Sequence, residues 1–233
     1  MRFKIFRFNP EKDEKPYFKT YDLEIEEGMT VLDALNEIKW RMDGTLSYRK
    51  SCRSAICGSC AMVVNGKYVL ACNTQLLNLK SKKIKIEPLT NFPIIKDLIV
   101  DLSEFFEKYE RIKPYLTAPN PPKKERIQTP AEFKKIDEYV MCIMCSACYA
   151  ACPSVWWRRD FLGPAALTKV YRFYADTRDE EKLERLEIAD SLEGAWGCRI
   201  MFRCEEACPK KIGTTYAIQQ LKKSVSKKVI LRR

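Results

Sequence analysis

Eleven cysteines and no histidine stand in a chain of 233 residues. Imidazole is the commonest partner of thiolate at zinc and copper, and the usual proton carrier near neutral pH. Without it, any metal chemistry here falls to sulfur. Spacing divides the cysteines into two sets. Cys52, Cys57, Cys60 and Cys72 read C-x4-C-x2-C, with the fourth thiol after eleven intervening residues. This is the plant-type spacing for a [2Fe–2S] cluster. A tight loop supplies three thiolates and turns backbone N–H groups toward sulfur, Gly58 permits close approach, and the fourth ligand arrives from a hairpin. Structural zinc, the alternative, usually has two short-spaced ligand pairs, which this set lacks.

The second set is an internal repeat. Cys142, Cys145, Cys148 and Cys152-Pro153 give the full C-x2-C-x2-C-x3-C-P run of bacterial cluster proteins. Cys198, Met201, Cys204 and Cys208-Pro209 give the same run with methionine in place of the second cysteine. In two-cluster proteins of this type the last cysteine of each run ligates the other cluster. Cys142, Cys145, Cys148 and Cys208 are therefore expected to hold [4Fe–4S], and Cys152, Cys198 and Cys204 the other centre. Met201 offers a neutral thioether, a poor ligand for iron, so this centre is expected to lose one iron and be [3Fe–4S]. Weak ligation by Met201, or a water, are the two ways it would keep four. The groups of four, four and three use every cysteine. GxGxxG and Walker patterns are absent, which leaves no nucleotide motif and favours a chain that conducts electrons.

The elements that must position these residues differ along the chain. Phe3, Ile5 and Arg7 alternate with their neighbours as in a strand, and Tyr21, Leu23 and Ile25 repeat the pattern. Thr30 with Asp33 is a capping pattern for a helix whose apolar stripe is Val31, Leu32, Leu35 and Ile38. Ala61–Val64 and Tyr68–Leu70 flank Asn65-Gly66, a strong hairpin signal, and Lys83–Glu87 alternates again as a closing strand. From Lys96 the spacing becomes helical through Leu98, Ile99, Leu102, Phe105, Phe106 and Tyr109. Five prolines follow, at 114, 119, 121, 122 and 130, and break regular structure. The remainder reads as helices punctuated by cysteine loops. The expected fold class is α+β: a β-grasp [2Fe–2S] ferredoxin-like domain over residues 1–97, then an all-α bacterial-ferredoxin-like domain over residues 98–233.

The formal charge of +11 would by itself suggest nucleic acid. An oxidised cluster with its thiolates carries about −2, so three clusters reduce the total to roughly +5. Lysines are spread along the chain rather than interleaved with aromatics on one face, which argues against a nucleic-acid partner. No stretch approaches the ~18 consecutive apolar residues of a membrane span. The start, MRFKIFRFNP, lacks the apolar core of a secretory signal. Trp156-Trp157-Arg158-Arg159 places amphipathic rings beside cations, a grouping suited to lipid headgroups or to the rim of an anchor. Lys222, Lys223, Lys227, Lys228, Arg232 and Arg233 read as a solvated helix face running into a tail.

On these motifs the chain resembles the iron–sulfur subunit of succinate dehydrogenase and fumarate reductase, respiratory complex II. The likeness runs through LSYRKSCRSAICGSCAM, NFPIIKDLIVDLSEFF, CPSVWW, FLGPAAL and CEEACPKKIG, nearly the whole chain. It implies an electron-transfer subunit of a succinate:quinone oxidoreductase, with FAD on a partner flavoprotein, membrane anchor subunits, and a quinone beside the [3Fe–4S] centre. The alternative is a menaquinol:fumarate reductase subunit, with the flow reversed. The resemblance places the chain peripherally on the cytoplasmic side of the cell inner membrane. It carries quinone-pocket roles onto Pro153, Ser154, Trp157, Arg199 and Met201, with the Trp157 indole N–H as donor. Arg199 departs from the pattern, since ubiquinone-using members commonly carry histidine there. Succinate chemistry belongs to the partner, and no catalytic residue is expected in this chain.

Overall fold

A computed structural model describes residues 1–120 and 122–231; Pro121 of the proline stretch and the C-terminal Arg232 and Arg233 lie outside the described residues. The strands are β1 (Arg2–Arg7), β2 (Tyr17–Asp22), β3 (Ala61–Val64), β4 (Lys67–Leu70), β5 (Lys83–Glu87), β6 (Ile94–Lys96) and β7 (Ile99–Val100). The helices are α1 (Val31–Glu37), α2 (Ser103–Glu110), α3 (Pro130–Phe133), α4 (Asp137–Val140), α5 (Ala147–Ala150), α6 (Pro153–Trp157), α7 (Pro164–Ala175), α8 (Lys182–Ala189), α9 (Arg203–Glu206) and α10 (Thr214–Leu231). All seven strands lie before residue 101, with α1 between β2 and β3, and the remaining helices follow, an order consistent with an α+β class. Two compact units are present: Met1–Leu102 with Ile143–Ala150, and Ser103–Cys142 with Ala151–Arg233.

In the first unit the alternation of β1 buries Phe3, Ile5 and Arg7 on one face. The sheet order is β2-β1-β5-β3-β4, with β1 and β5 parallel and the other pairs antiparallel. The expected closing strand β5 thus lies at the centre. Thr30 and Asp33 form the reciprocal capping box, and the α1 residues Val31, Leu32, Ala34 and Leu35 share one core with Phe3, Ile5, Val64, Ile84 and Ile86. The β3–β4 hairpin turns at Asn65 (φ +48) and Gly66 (φ +77), the left-handed pair that a tight two-residue hairpin needs.

Three features differ from the sequence expectations, the first being that β2 runs Tyr17–Asp22 and ends before Leu23 and Ile25. Arg7, buried on the apolar face of β1, donates to Asp97 at 2.9 Å, and to Asp43, the Tyr21 hydroxyl and Thr45 at 2.7 Å each. Asp97 also accepts from the amides of Phe8 and Ser47. This network explains why the helix expected from Leu98 starts only at Ser103. The Asp97 amide is taken by the Phe8 carbonyl and that of Leu98 by the Ser47 carbonyl, so the segment turns at Asp97 (φ +49) into the β6–β7 pair. Tertiary hydrogen bonds override the local helical period.

The segment Ile143–Ala150 belongs to the first unit because its end is fastened there. The Ala150 carbonyl accepts from Thr90 Oγ1 at 2.9 Å and Asn91 Nδ2 at 3.0 Å, and Tyr149 stacks on Phe92 at 5.2 Å.

The second unit consists of helices among its described residues. α7 packs on α8 and α10, and Leu167, Val170, Leu186, Ile218 and Leu221 are buried there. Fully buried Arg185 fixes the loop before α3 by donating to the carbonyls of Ile112, Lys113 and Tyr115 and to the Asp179 carboxylate.

Candidate iron–sulfur sites

In the first cysteine loop Arg53, Ala55 and Gly58 all have positive φ, at +57, +57 and +74. Alternate left-handed residues turn successive N–H groups to the inside of a loop, a concavity that suits an anion. Here they face sulfur. The Cys52 Sγ receives amides from Ser54 (3.4 Å), Ile56 (3.4 Å) and Cys57 (3.2 Å), and Cys72 Sγ receives that of Ala55 at 3.3 Å. These amides lower the Cys52 pKa to about 6. Burial pushes the Cys60 thiol the other way, to about 12, so iron must displace its proton. None of the four is in a disulfide although the hairpin brings them together. Convergent thiols, inward amides and an uncommitted sulfur set fit a small anionic cluster. Gly58 earns its place: a Cβ there would lie 2.8 Å from Cys145 Cβ and 2.9 Å from the Ile143 carbonyl oxygen, both of the same unit.

The repeat of spacing is also a repeat of backbone shape. The second and fourth residues after Cys142, Met144 and Ser146, have φ +54 and +60; those after Cys198, Ile200 and Phe202, have φ +57 and +58. Residues other than glycine seldom adopt this region, and four of them at matched places indicate a constrained cradle. Cys142 and Cys208 pack against the core of Tyr139, Ile212 and Ala217 in the second unit, and the Ile212 amide points at Cys208 Sγ (3.4 Å). Cys145 and Cys148 lie in the 143–150 segment of the first unit.

Cys152, Cys198 and Cys204 line one cavity of the second unit together with Pro153, Ser154, Arg199, Met201 and Thr215. Cys152 caps α6, and Cys204 sits on α9 with its sulfur 3.6 Å from Thr215 Oγ1. Burial raises both thiols, Cys204 to about 11, while the amides of Ser154 and Val155 oppose the rise at Cys152. Three thiols on one cavity, Cys204 buried and Cys152 and Cys198 partly so, fit a cluster with three sulfur ligands. Met201 is 56 % exposed. Trp157 is not part of the lining; it stands at the end of α6, 88 % exposed. Arg158 and Arg159, read above as candidate lipid contacts, pair with Asp160 (2.6 Å) and Glu104 (3.8 Å).

Sequence reading did not single out Thr215, Ile200 or Phe202 around this cavity, nor Lys169 in α7. Only Lys169 left a signal, as the one charge within the apolar run Ala165–Val170.

Such a chain, with a cysteine loop on a mixed sheet followed by a repeated cysteine run among short helices, is an iron–sulfur protein. Residues 2–107 match the family model described as a 2Fe-2S iron-sulfur cluster binding domain, and residues 138–212 that of a 4Fe-4S dicluster domain. The fumarate reductase iron-sulfur subunit of Haemophilus influenzae is 42% identical, covering 99% of this chain and 95% of that one. The succinate dehydrogenase iron-sulfur subunit of Coxiella burnetii is 41% identical, covering 95% of each. A solved chain of the Mycobacterium smegmatis Sdh1 complex in the apo form superposes with a TM-score of 0.89 at 25% identity, covering 97% of this chain and 95% of that one. The chain belongs to the family of iron–sulfur subunits of fumarate reductases and succinate dehydrogenases. It is an electron-transfer subunit of an oxidoreductase complex.

Proposed function

We propose that this subunit relays electrons between the FAD of a flavoprotein partner and a membrane quinone, in a succinate:quinone oxidoreductase. Cys52, Cys57, Cys60 and Cys72 would hold [2Fe–2S]; Cys142, Cys145, Cys148 and Cys208 would hold [4Fe–4S]; Cys152, Cys198 and Cys204 would hold [3Fe–4S]. These clusters supply one-electron chemistry when bound. The protein's own contribution is to deprotonate and orient the sulfurs, to exclude water from the buried ones, and to set the surrounding charge. The fold that does so is a β-grasp ferredoxin-like domain followed by a helical bacterial-ferredoxin-like one.

One observation carries the reading: three cysteines from both halves of the repeat share a cavity with Met201, which occupies the place of the missing fourth thiol. The same cavity is lined by Pro153, Ser154 and Arg199, and its surroundings expose Trp156, Trp157, Ile200 and Phe202. An apolar, ring-bearing rim suits an anchor subunit and a quinone, with the Trp157 indole N–H as donor. No helix among the described residues is long and apolar enough to cross a membrane. Likeness to the iron–sulfur subunits named above supports a peripheral place on the cytoplasmic side of the inner membrane, with the partners holding the subunit there. The reverse direction, menaquinol to fumarate, uses the same conductor, and relatives of both names match equally well.

Low-temperature EPR of the isolated complex tests the assignment. An oxidised [3Fe–4S] centre has an odd electron count and gives a signal, whereas an oxidised [4Fe–4S] centre is silent. The expected sample shows the first signal when oxidised, two further centres when reduced, and about nine iron and ten labile sulfide per chain. Zinc in place of iron, or an EPR-silent oxidised state, would reject it.

A further inference from the structure

Lys169 lies in α7, only 9 % exposed. An ammonium carries three protons that need acceptors, and burying one without an anion is strongly unfavourable. Its hydrogen bond is a long one, 3.4 Å, to the carbonyl oxygen of Tyr139. Asp176, the carboxylate at the end of the same helix, is taken by Arg172 and Arg178, and among the described residues no carboxylate pairs with Lys169. Tyr139 is also the centre of the small core against which Cys142 and Cys208 pack. The groups packed on that core that could carry a compensating negative charge are thus Cys142 and Cys208, once they ligate a cluster.

We propose that Lys169 is the buried counter-charge of the four-iron centre: held on the Tyr139 carbonyl beside Cys142, its ammonium stabilises the electron added when that cluster is reduced. Reduction adds one negative charge and binds no proton at this site, so a fixed nearby cation favours the reduced form and raises the potential. Lys169 is a positioning and tuning residue, since it acts through the ligand Cys142. The inference rests on the four-iron assignment made above.

The test is a redox titration of the purified complex followed by EPR, comparing the parent with Lys169→Met and Lys169→Arg. Removing the charge is expected to lower the reduction equilibrium of the [4Fe–4S] centre about tenfold, a fall of about 59 mV for a one-electron couple. The other two centres keep their potentials, and Lys169→Arg stays near the parent. An unshifted Lys169→Met, or an arginine variant displaced as far as the methionine one, overturns the proposal. If Lys169→Met and the milder Lys169→Gln both fail to assemble the centre while Lys169→Arg assembles it, the charge requirement is supported; failure of all three overturns it by pointing to packing. A parent complex with no four-iron signal on reduction defeats the underlying assignment instead, which separates the two failures.

Discussion

Cys145 lies so close to Gly58 that a methyl group on residue 58 would sit 2.8 Å from its Cβ. The loop of the first cysteine set and a cysteine of the second are thus in van der Waals contact within one unit, with the glycine as the condition for it. Gly58→Ala has to push against backbone, the Ile143 carbonyl at 2.9 Å, and to adopt φ +74 with a side chain. Overpacking costs about 1–3 kcal/mol and the left-handed backbone about 1–2 kcal/mol. The variant should melt at lower temperature and retain less iron; an unchanged melting curve and iron content would refute the contact.

Met201→Cys restores the fourth thiol of the repeat. Iron should rise from about nine to about ten per chain, and the EPR signal of the oxidised complex should disappear as a four-iron cluster forms. Unaltered iron content would count against the division of cysteines between the two centres.

Acid should loosen the first unit through Asp43. Burial alone would raise its carboxyl pKa, but hydrogen bonds from Lys19, Thr45, Tyr21 and Arg7 outweigh it and hold the group well below the usual carboxylate range. A depressed folded pKa means stability that is complete above the unfolded value of about 3.9 and is lost as pH falls below it toward the folded one. Urea denaturation near pH 5 and pH 3 should show a larger drop for the parent than for Asp43→Asn. Parallel drops would remove Asp43 as the cause.

Trp157→Phe keeps an apolar ring and deletes the indole N–H. If that donor serves the quinone, the loss of one hydrogen bond, about 0.5–1.5 kcal/mol, raises the KM for quinone roughly 2- to 13-fold. Succinate oxidation with a soluble artificial acceptor, and all three EPR signals, should stay at parent levels. An unchanged quinone KM would reassign Trp157 to packing against a partner.

How far the site was legible depends on what kind of force sets each residue. The hairpin at Asn65-Gly66 and the box of Thr30 and Asp33 were readable because both are local: a dihedral demand in one case, two hydrogen bonds three residues apart in the other. The start of α2 was not. Leu98 and Ile99 keep helical spacing, but Arg7, about ninety residues earlier, draws Asp97 into its network and turns the chain there.

By itself the sequence determined which atoms are available to iron. Thiolate, thioether and their spacing are covalent facts, and coordination chemistry acts on them directly. It also laid out the order β1, β2, α1, the β3–β4 hairpin and β5, though not the β6–β7 pair. Tertiary structure alone decided which charges share their surroundings: that Arg7 is buried among two carboxylates, that Ile143–Ala150 is fastened to the first unit through the Ala150 carbonyl, and that Lys169 is enclosed near Cys142 with no carboxylate partner among the described residues. Burial and the resulting loss of water screening depend on residues distant in the chain, and no local pattern encodes them.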